Sequence, residues 1–335
     1  MSDTTIEILD FPAEGGFGST NAESINHHTD HPLAPNSALN MSTEDLVGVV
    51  ANFTTMRMHG FEEFLIKGDE TSLPREIIEK VRIFEKGMDD LKNEVNSPDA
   101  VEKLRKISEK YQRTDDGQIP ENLEELRRGK RRIIFDFDGT ISDPTHRGGA
   151  IHDRLLAGSD PLDDYIGDDR SKFKYAAAEW VGLMNSHPEI FEAGGKEVPL
   201  RDGMIELLED LLSDENCNIT ILTTNFNPFM KAVLSRIKGS EKIQLLCMQD
   251  DDMTSFVKGD VVKKIALDNP DEEIEYVGDG GSDFPALEAR SVVGAYHTAS
   301  GMSFDKKMDE ETLAHLPFDN VVQLRQNLGM LSQAA

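Results

Sequence analysis

Apolar positions along the chain follow two different periods, and the change falls near residue 131. Residues 1–40 show neither period. They are polar and rich in Asn, Ser, Gly and Pro, the composition of a disordered tail. From 41 to 128 the spacing is helical. Ser42 and Thr43 can cap a helix with Leu46, Val49, Val50, Phe53 and Met56 on one face. Ser72 and Pro74 open a second helix, whose apolar residues Ile77, Val81, Phe84, Met88, Leu91 and Val95 alternate steps of four and three. Ser97 and Pro98 open a third, with Val101, Leu104, Ile107 and Tyr111. Such helices form either a small bundle packed on itself or on the next domain, or a surface for a second copy or a protein partner. Three heptads do not decide between the two.

Beyond Arg131, short apolar runs alternate with helical stretches. The runs are Ile133 to Phe137, Asn218 to Thr223, Gln244 to Met248, Ile274 to Val277 and Val292 to Tyr296. Between them lie Met204 to Leu212, Phe229 to Ile237 and Val261 to Leu267. This alternation predicts an α/β unit over 129–330, with a Rossmann-like parallel sheet covered on both faces. Ligands of such sheets bind beyond the carboxyl ends of the strands, so those ends are where function is sought.

Composition narrows the classes. The 335 residues include 35 basic and 63 acidic ones, a formal net charge of −28. A surface of that sign repels nucleic acid and anionic membranes. The clearest basic cluster, Arg127, Arg128, Lys130, Arg131 and Arg132, directly precedes an apolar run and reads as a domain edge. No apolar run approaches the roughly 20 residues that span a bilayer. The first residues lack the pattern of a secretory signal. Two cysteines, Cys217 and Cys247, do not make a disulfide framework, and a reducing, cytoplasmic location is expected. His27, His28, Asp30 and His31 in the tail read as solvated rather than as a metal site.

The strand ends carry the chemistry. The first run closes on Asp136-Phe137-Asp138-Gly139-Thr140. Two carboxylates two residues apart point the same way while a strand lasts. Placing like charges together is costly without a cation, and a hard dication with oxygen ligands, Mg2+, fits that role. The second run ends in Thr223-Thr224-Asn225, where a hydroxyl can donate to a phosphate oxygen. The fourth ends in Gly278-Asp279-Gly280-Gly281-Ser282-Asp283, two further carboxylates in a glycine-rich loop. Lys258 opens the helix feeding that strand, placed to reach an anion over the sheet edge.

Each fragment alone is weak, but their order is specific. The stretch Ile133 to Thr140 resembles the first motif of the haloacid dehalogenase superfamily. Thr223 matches the second motif, Lys258 the third and Gly278 to Asp283 the fourth; Lys263 and Lys264 are rivals for the third. The last motif looks most like that of the phosphoserine-phosphatase-like branch. The resemblance covers about 131–325 and implies a phosphatase working through an aspartyl-phosphate on Asp136. Asp138 would be general acid and then base. Asp136, Asp138 (through its carbonyl) and Asp279 would hold Mg2+. Asp283 would orient Lys258 or a water of the ion's shell. Thr223, with Thr224 beside it, and Lys258 would hold phosphate oxygens, while Gly139 and Thr140 support the turn. An acid at Asp138 marks phosphatases and phosphomutases, since pump-like members carry Thr there.

Residues from about 144 to 200 separate the first run from the helix before the second. In this superfamily an insertion there forms a helical cap that excludes water and selects substrate. Its apolar residues include Ile151, Leu155, Leu156, Tyr165, Phe173, Tyr175, Trp180, Val181 and Met184. His146, Arg147 and the run Asp250 to Asp252 read as solvated loops. The expected substrate is a small phosphate ester. A phosphomutase or phosphoprotein phosphatase is the alternative within enzymes. A scaffold binding a partner through its N-terminal helices is the alternative outside them.

Overall fold

A computed structural model describes residues 73–111, 129–144, 173–186, 188–249, 254–279, 281–289, 291–298 and 316–330. The tail over 1–40 and its histidines lie outside these residues. So do the helix expected from Ser42, the early insertion with His146 and Arg147, and the run Asp250 to Asp252.

The alternating runs become one six-stranded sheet: β1 (Lys130–Phe135), β2 (Cys217–Phe226), β3 (Gln244–Met248), β4 (Glu272–Gly278), β5 (Val292–Thr298) and β6 (Leu316–Phe318). The order is β3-β2-β1-β4-β5-β6 and every pairing is parallel. Ile133 stands opposite Ile219 on one side and Glu275 on the other. The chain winds outward from β1 in one direction, then returns and winds outward from β4 in the other. The direction reverses between β1 and β4, which is where a Rossmann-like sheet opens a crevice at its carboxyl edge.

The helices are α1 (Arg75–Val95), α2 (Pro98–Lys110), α3 (Phe173–Ser186), α4 (Pro188–Glu197), α5 (Met204–Leu212), α6 (Asn227–Leu234), α7 (Lys258–Asp268), α8 (Phe284–Leu287) and α9 (Val321–Asn327). β1 is apolar on both faces because both are covered. Ile133 and Phe135 join a core with α5, α6 and α9. Ile134 joins a second core with α2, α7 and α8. The two N-terminal helices therefore belong to the hydrophobic interior of the sheet domain. Ile77, Val81 and Phe84 of α1 are buried with Tyr175, Ala178 and Val181 of α3, and Leu104, Ile107 and Tyr111 lie with α7 and α8. The apolar stripe that a second copy or partner would need is spent inside the chain.

The basic cluster is more than an edge. Arg131 and Arg132 lie inside β1, paired with β4 carboxylates: Arg131 with Glu275 at 2.8 Å and Arg132 with Glu272 at 2.6 Å. Charges enter this strand because each has a counter-charge on the next.

The residues flanking the insertion are joined to each other. Ser142 and Leu200 form an antiparallel bridge, flanked by Asp143 N–H to Pro199 O and Arg201 N–H to Ile141 O, each at 3.0 Å. Its helix α4 lies close on α6: a Cβ at Gly195 would fall 2.2 Å from the Phe229 carbonyl oxygen. No helix among the described residues is long and apolar enough to cross a membrane.

Candidate active site

Three strand ends and one helix start converge at the point where the strand order reverses. Asp136 extends β1 by one residue, its N–H donating to Val277 O at 2.8 Å. The chain then turns sharply. The Phe137 carbonyl accepts from the N–H groups of Thr140, Ile141 and Ser142, and Gly139 adopts φ +70°. A side chain there would place its Cβ 2.0 Å from Asp279 Oδ2, so the turn after β1 and the end of β4 touch through a glycine. Two further bonds hold the turn. The Ser142 hydroxyl accepts from Gly139 N–H at 2.9 Å, and the Arg201 guanidinium donates to Gly139 O at 3.2 and 2.5 Å.

Lys258, the first residue of α7, is 3% exposed and spans the cluster. Its Nζ donates to Asp136 Oδ1 at 2.6 Å and to Asp283 Oδ1 at 2.7 Å. Lys263 and Lys264 instead pair with Asp260 and Asp268 on their own helix. Asp283 also accepts from Tyr276 Oη at 2.7 Å and, through Oδ2, from Asp279 N–H at 3.1 Å. Gly278 makes room for this: a Cβ would fall 2.6 Å from Asp283 Cγ. The expected site residues Asp136, Lys258, Asp279 and Asp283 are thus brought together.

Asp138 stands beside them, its carboxylate gripped by Asn225 Nδ2 at 3.2 and 3.1 Å. Thr223 is fully buried at the end of β2, and its hydroxyl accepts from Asn225 N–H at 3.1 Å. Thr224 next to it is half-buried. Thr140 is buried, with no hydrogen-bond partner for its hydroxyl among the described residues.

Four carboxylates face two cations, Lys258 and Arg201, in a mostly buried space. Burial, reinforced by the Asp283 charge, pushes the Asp136 carboxyl up to about 7 although Lys258 opposes it. Burial, with Asp136 and Asp283, holds Asp279 well above the usual carboxylate range. Burial alone would lower Lys258, but Asp136 and Asp283 reverse this and hold it above its ordinary value. Burial and then the Asp283 charge raise Tyr276 well above the usual phenol. Surplus negative charge of this kind is what a dication relieves. Asp136, Asp279 and Asp283 each bring one oxygen within 4.8 Å of the others. Asp283 is committed to Lys258, Tyr276 and the Asp279 amide. The donor set of hard oxygens, with Asp136 and Asp279 at its centre, fits Mg2+.

Asn225, Arg201, Tyr276 and Ser142 were not singled out as site residues from the sequence. Asn225 stands in the string Thr223-Thr224-Asn225, but nothing in the string says which way its amide points. Tyr276 sits in an apolar run and reads as core.

No protein-family model and no curated protein sequence matches the chain. Solved structures of similar fold do. One is described as a predicted phosphatase from Clostridium acetobutylicum, at 16% identity and TM-score 0.41, covering 61% of this chain and 100% of that one. Another is a haloacid dehalogenase-like hydrolase from Streptococcus pneumoniae, at 16% and 0.39, covering 59% and 98%. A third is a phosphoserine phosphohydrolase-like protein from Francisella tularensis, at 21% and 0.39, covering 58% and 98%. What defines the class of this chain is its own sheet, an α/β Rossmann-like fold with an acid-lined site at the carboxyl edge. The chemistry below rests on that site.

Proposed function

We propose that the chain is a Mg2+-dependent phosphatase of the haloacid dehalogenase type, acting on a small phosphate monoester. The observation that carries this reading is the contact of Lys258 with Asp136 at the reversal point of the sheet, with Asp138 two residues further on. Lys258 fixes one carboxylate oxygen of Asp136 and neutralises charge where an anionic substrate has to approach.

The Asp136 carboxylate attacks phosphorus, and an Asp136 O–P bond forms as the ester P–O bond breaks. Asp138 gives its proton to the departing oxygen, which leaves as the alcohol. A water then attacks the same phosphorus, Asp138 takes its proton, and the Asp136 O–P bond breaks to release phosphate. Lys258 and the Thr223 hydroxyl bind phosphate oxygens through both steps. Asp136, the Asp138 carbonyl and Asp279 would hold Mg2+, which supplies positive charge against the phosphate. Asp283 holds Lys258 in place rather than meeting substrate, and Gly139 and Thr140 shape the turn. The insertion from about 144 to 200 acts as the cap of a 129–330 catalytic unit. A scaffold reading is disfavoured by a complete set of acid, base and cation. Cys217 and Cys247 are both buried and form no disulfide among the described residues, which supports a cytoplasmic setting.

The test is phosphate release from 4-nitrophenyl phosphate with and without Mg2+. Turnover should require Mg2+ and fall by at least about 10³-fold in Asp136→Asn. Turnover that survives the substitution would remove Asp136 as nucleophile.

A further inference from the structure

We infer that Asn225 is the positioning residue of the acid/base Asp138, and that it sets the site's ability to expel poor leaving groups. The inference rests on the phosphatase reading above.

The local structure aims this side chain. β2 runs in register with β3 through Leu222 and then slips before Phe226, an irregularity of the kind that re-aims side chains beside active sites. Asn225 lies within the slip and is 1% exposed. Its backbone N–H is tied to Thr223 Oγ1, and its side-chain Oδ1 accepts from Phe226 N–H at 3.2 Å. With the carbonyl oxygen so engaged, the NH2 end faces Asp138 and meets both carboxylate oxygens. The chain just beyond is pinned too. Phe226 packs edge-on against Phe191 of α4 at 5.1 Å, and α6 starts at Asn227 with Pro228 in its first turn. A buried amide anchored at three points has little freedom to swing away.

This arrangement suits a proton donor. While Asp138 carries its proton, the amide holds one oxygen and the O–H is left to face the departing ester oxygen. When the proton has moved, both oxygens are acceptors and both amide contacts are charge-assisted. Asn225 Nδ2 lies 3.2 and 3.1 Å from the two carboxylate oxygens, within reach of either. Asn225 therefore helps most where the leaving oxygen needs the proton most. A nitrophenolate departs without help, whereas an alkoxide or a plain phenolate does not.

The experiment compares kcat/KM for two substrates of nearly equal shape, phenyl phosphate and 4-nitrophenyl phosphate. This ratio reports steps up to ester cleavage and excludes hydrolysis of the phosphoenzyme. In Asn225→Ala the value for phenyl phosphate should fall about 10- to 100-fold, and that for 4-nitrophenyl phosphate no more than about 3-fold. Asn225→Leu, close in size but without the donor, should show the same split. A merely structural role would lower both substrates alike. An equal loss, or no loss, in an active protein would overturn this inference and leave the phosphatase reading standing. A native chain inactive on both esters would overturn the two together.

Discussion

At Gly139 the backbone takes φ +70°, and the space where a Cβ would stand is filled by the Asp279 carboxylate. Gly139→Ala therefore adds backbone strain and drives Asp279 aside. The expected outcome is weaker Mg2+ binding, by about 10- to 100-fold, read as loss of the Mg2+-induced rise in melting temperature as well as of turnover. The carboxylates were legible in the sequence because their order along the chain, Asp pair, Thr, Lys, Asp pair, is chemically informative even before a fold is known. Arg201 was not legible. Its task is to hold the Gly139 carbonyl from the return strand of the insertion, 62 residues on, and no local pattern announces that. Its ring contact with Phe318 of β6, at 5.6 Å, likewise depends on a strand too short to detect.

At the scale of elements, α1 shows what periodicity does and does not say. The heptad spacing of Ile77, Val81 and Phe84 marked a helix with one apolar face, and the helix is there over Arg75–Val95. Spacing names a face without naming what covers it. Here α3 of the insertion and α7, the helix that begins with Lys258, cover it. Glu85 binds Lys174 of α3, and Glu94 pairs with Lys264 of α7 at 2.9 Å. Phe84→Ala should cost about 3–5 kcal/mol in urea unfolding, the usual range for emptying a buried ring. Ile83 next to it is 56% exposed, and Ile83→Ala should stay within about 0.5 kcal/mol. Equal effects would mean that α1 does not pack as described. β6 went unnoticed in the sequence because its three residues, Leu316–Phe318, include a proline and show no alternation. An edge position tolerates both.

Over the whole molecule, stability has a pH signature away from the active site. Glu273 is buried at the opposite end of β4, and burial, with the Glu275 charge, pushes its carboxyl up to about 7 from 4.5. Below pH 4.5 the group is protonated in both folded and unfolded chains and contributes nothing. Between 4.5 and 7 the folded chain keeps a proton that the unfolded chain has lost, so stability declines as pH rises; above 7 the full penalty is present. Glu273→Gln removes the ionisation. Its melting temperature relative to the native chain should rise between pH 4.5 and 7 and then level off. A constant difference would show that the Glu273 pKa does not change on folding. Two acidic residues, Glu272 and Glu273, open β4, which explains why its apolar run begins only at Ile274. The one charge inside that run, Glu275, meets Arg131 of β1 within the sheet.

The bridge between Ser142 and Leu200 has a consequence for how such a protein can change over time. The chain on either side of the insertion is joined there by main-chain hydrogen bonds, so a change of length between Asp143 and Pro199 need not shift the register of any strand. Lengthening a segment whose ends are already joined adds little entropic cost. Asp136 and Asp138 sit shortly before this junction and Arg201 immediately after it. Lineages could thus vary the inserted segment while inheriting the acidic cluster at the sheet edge.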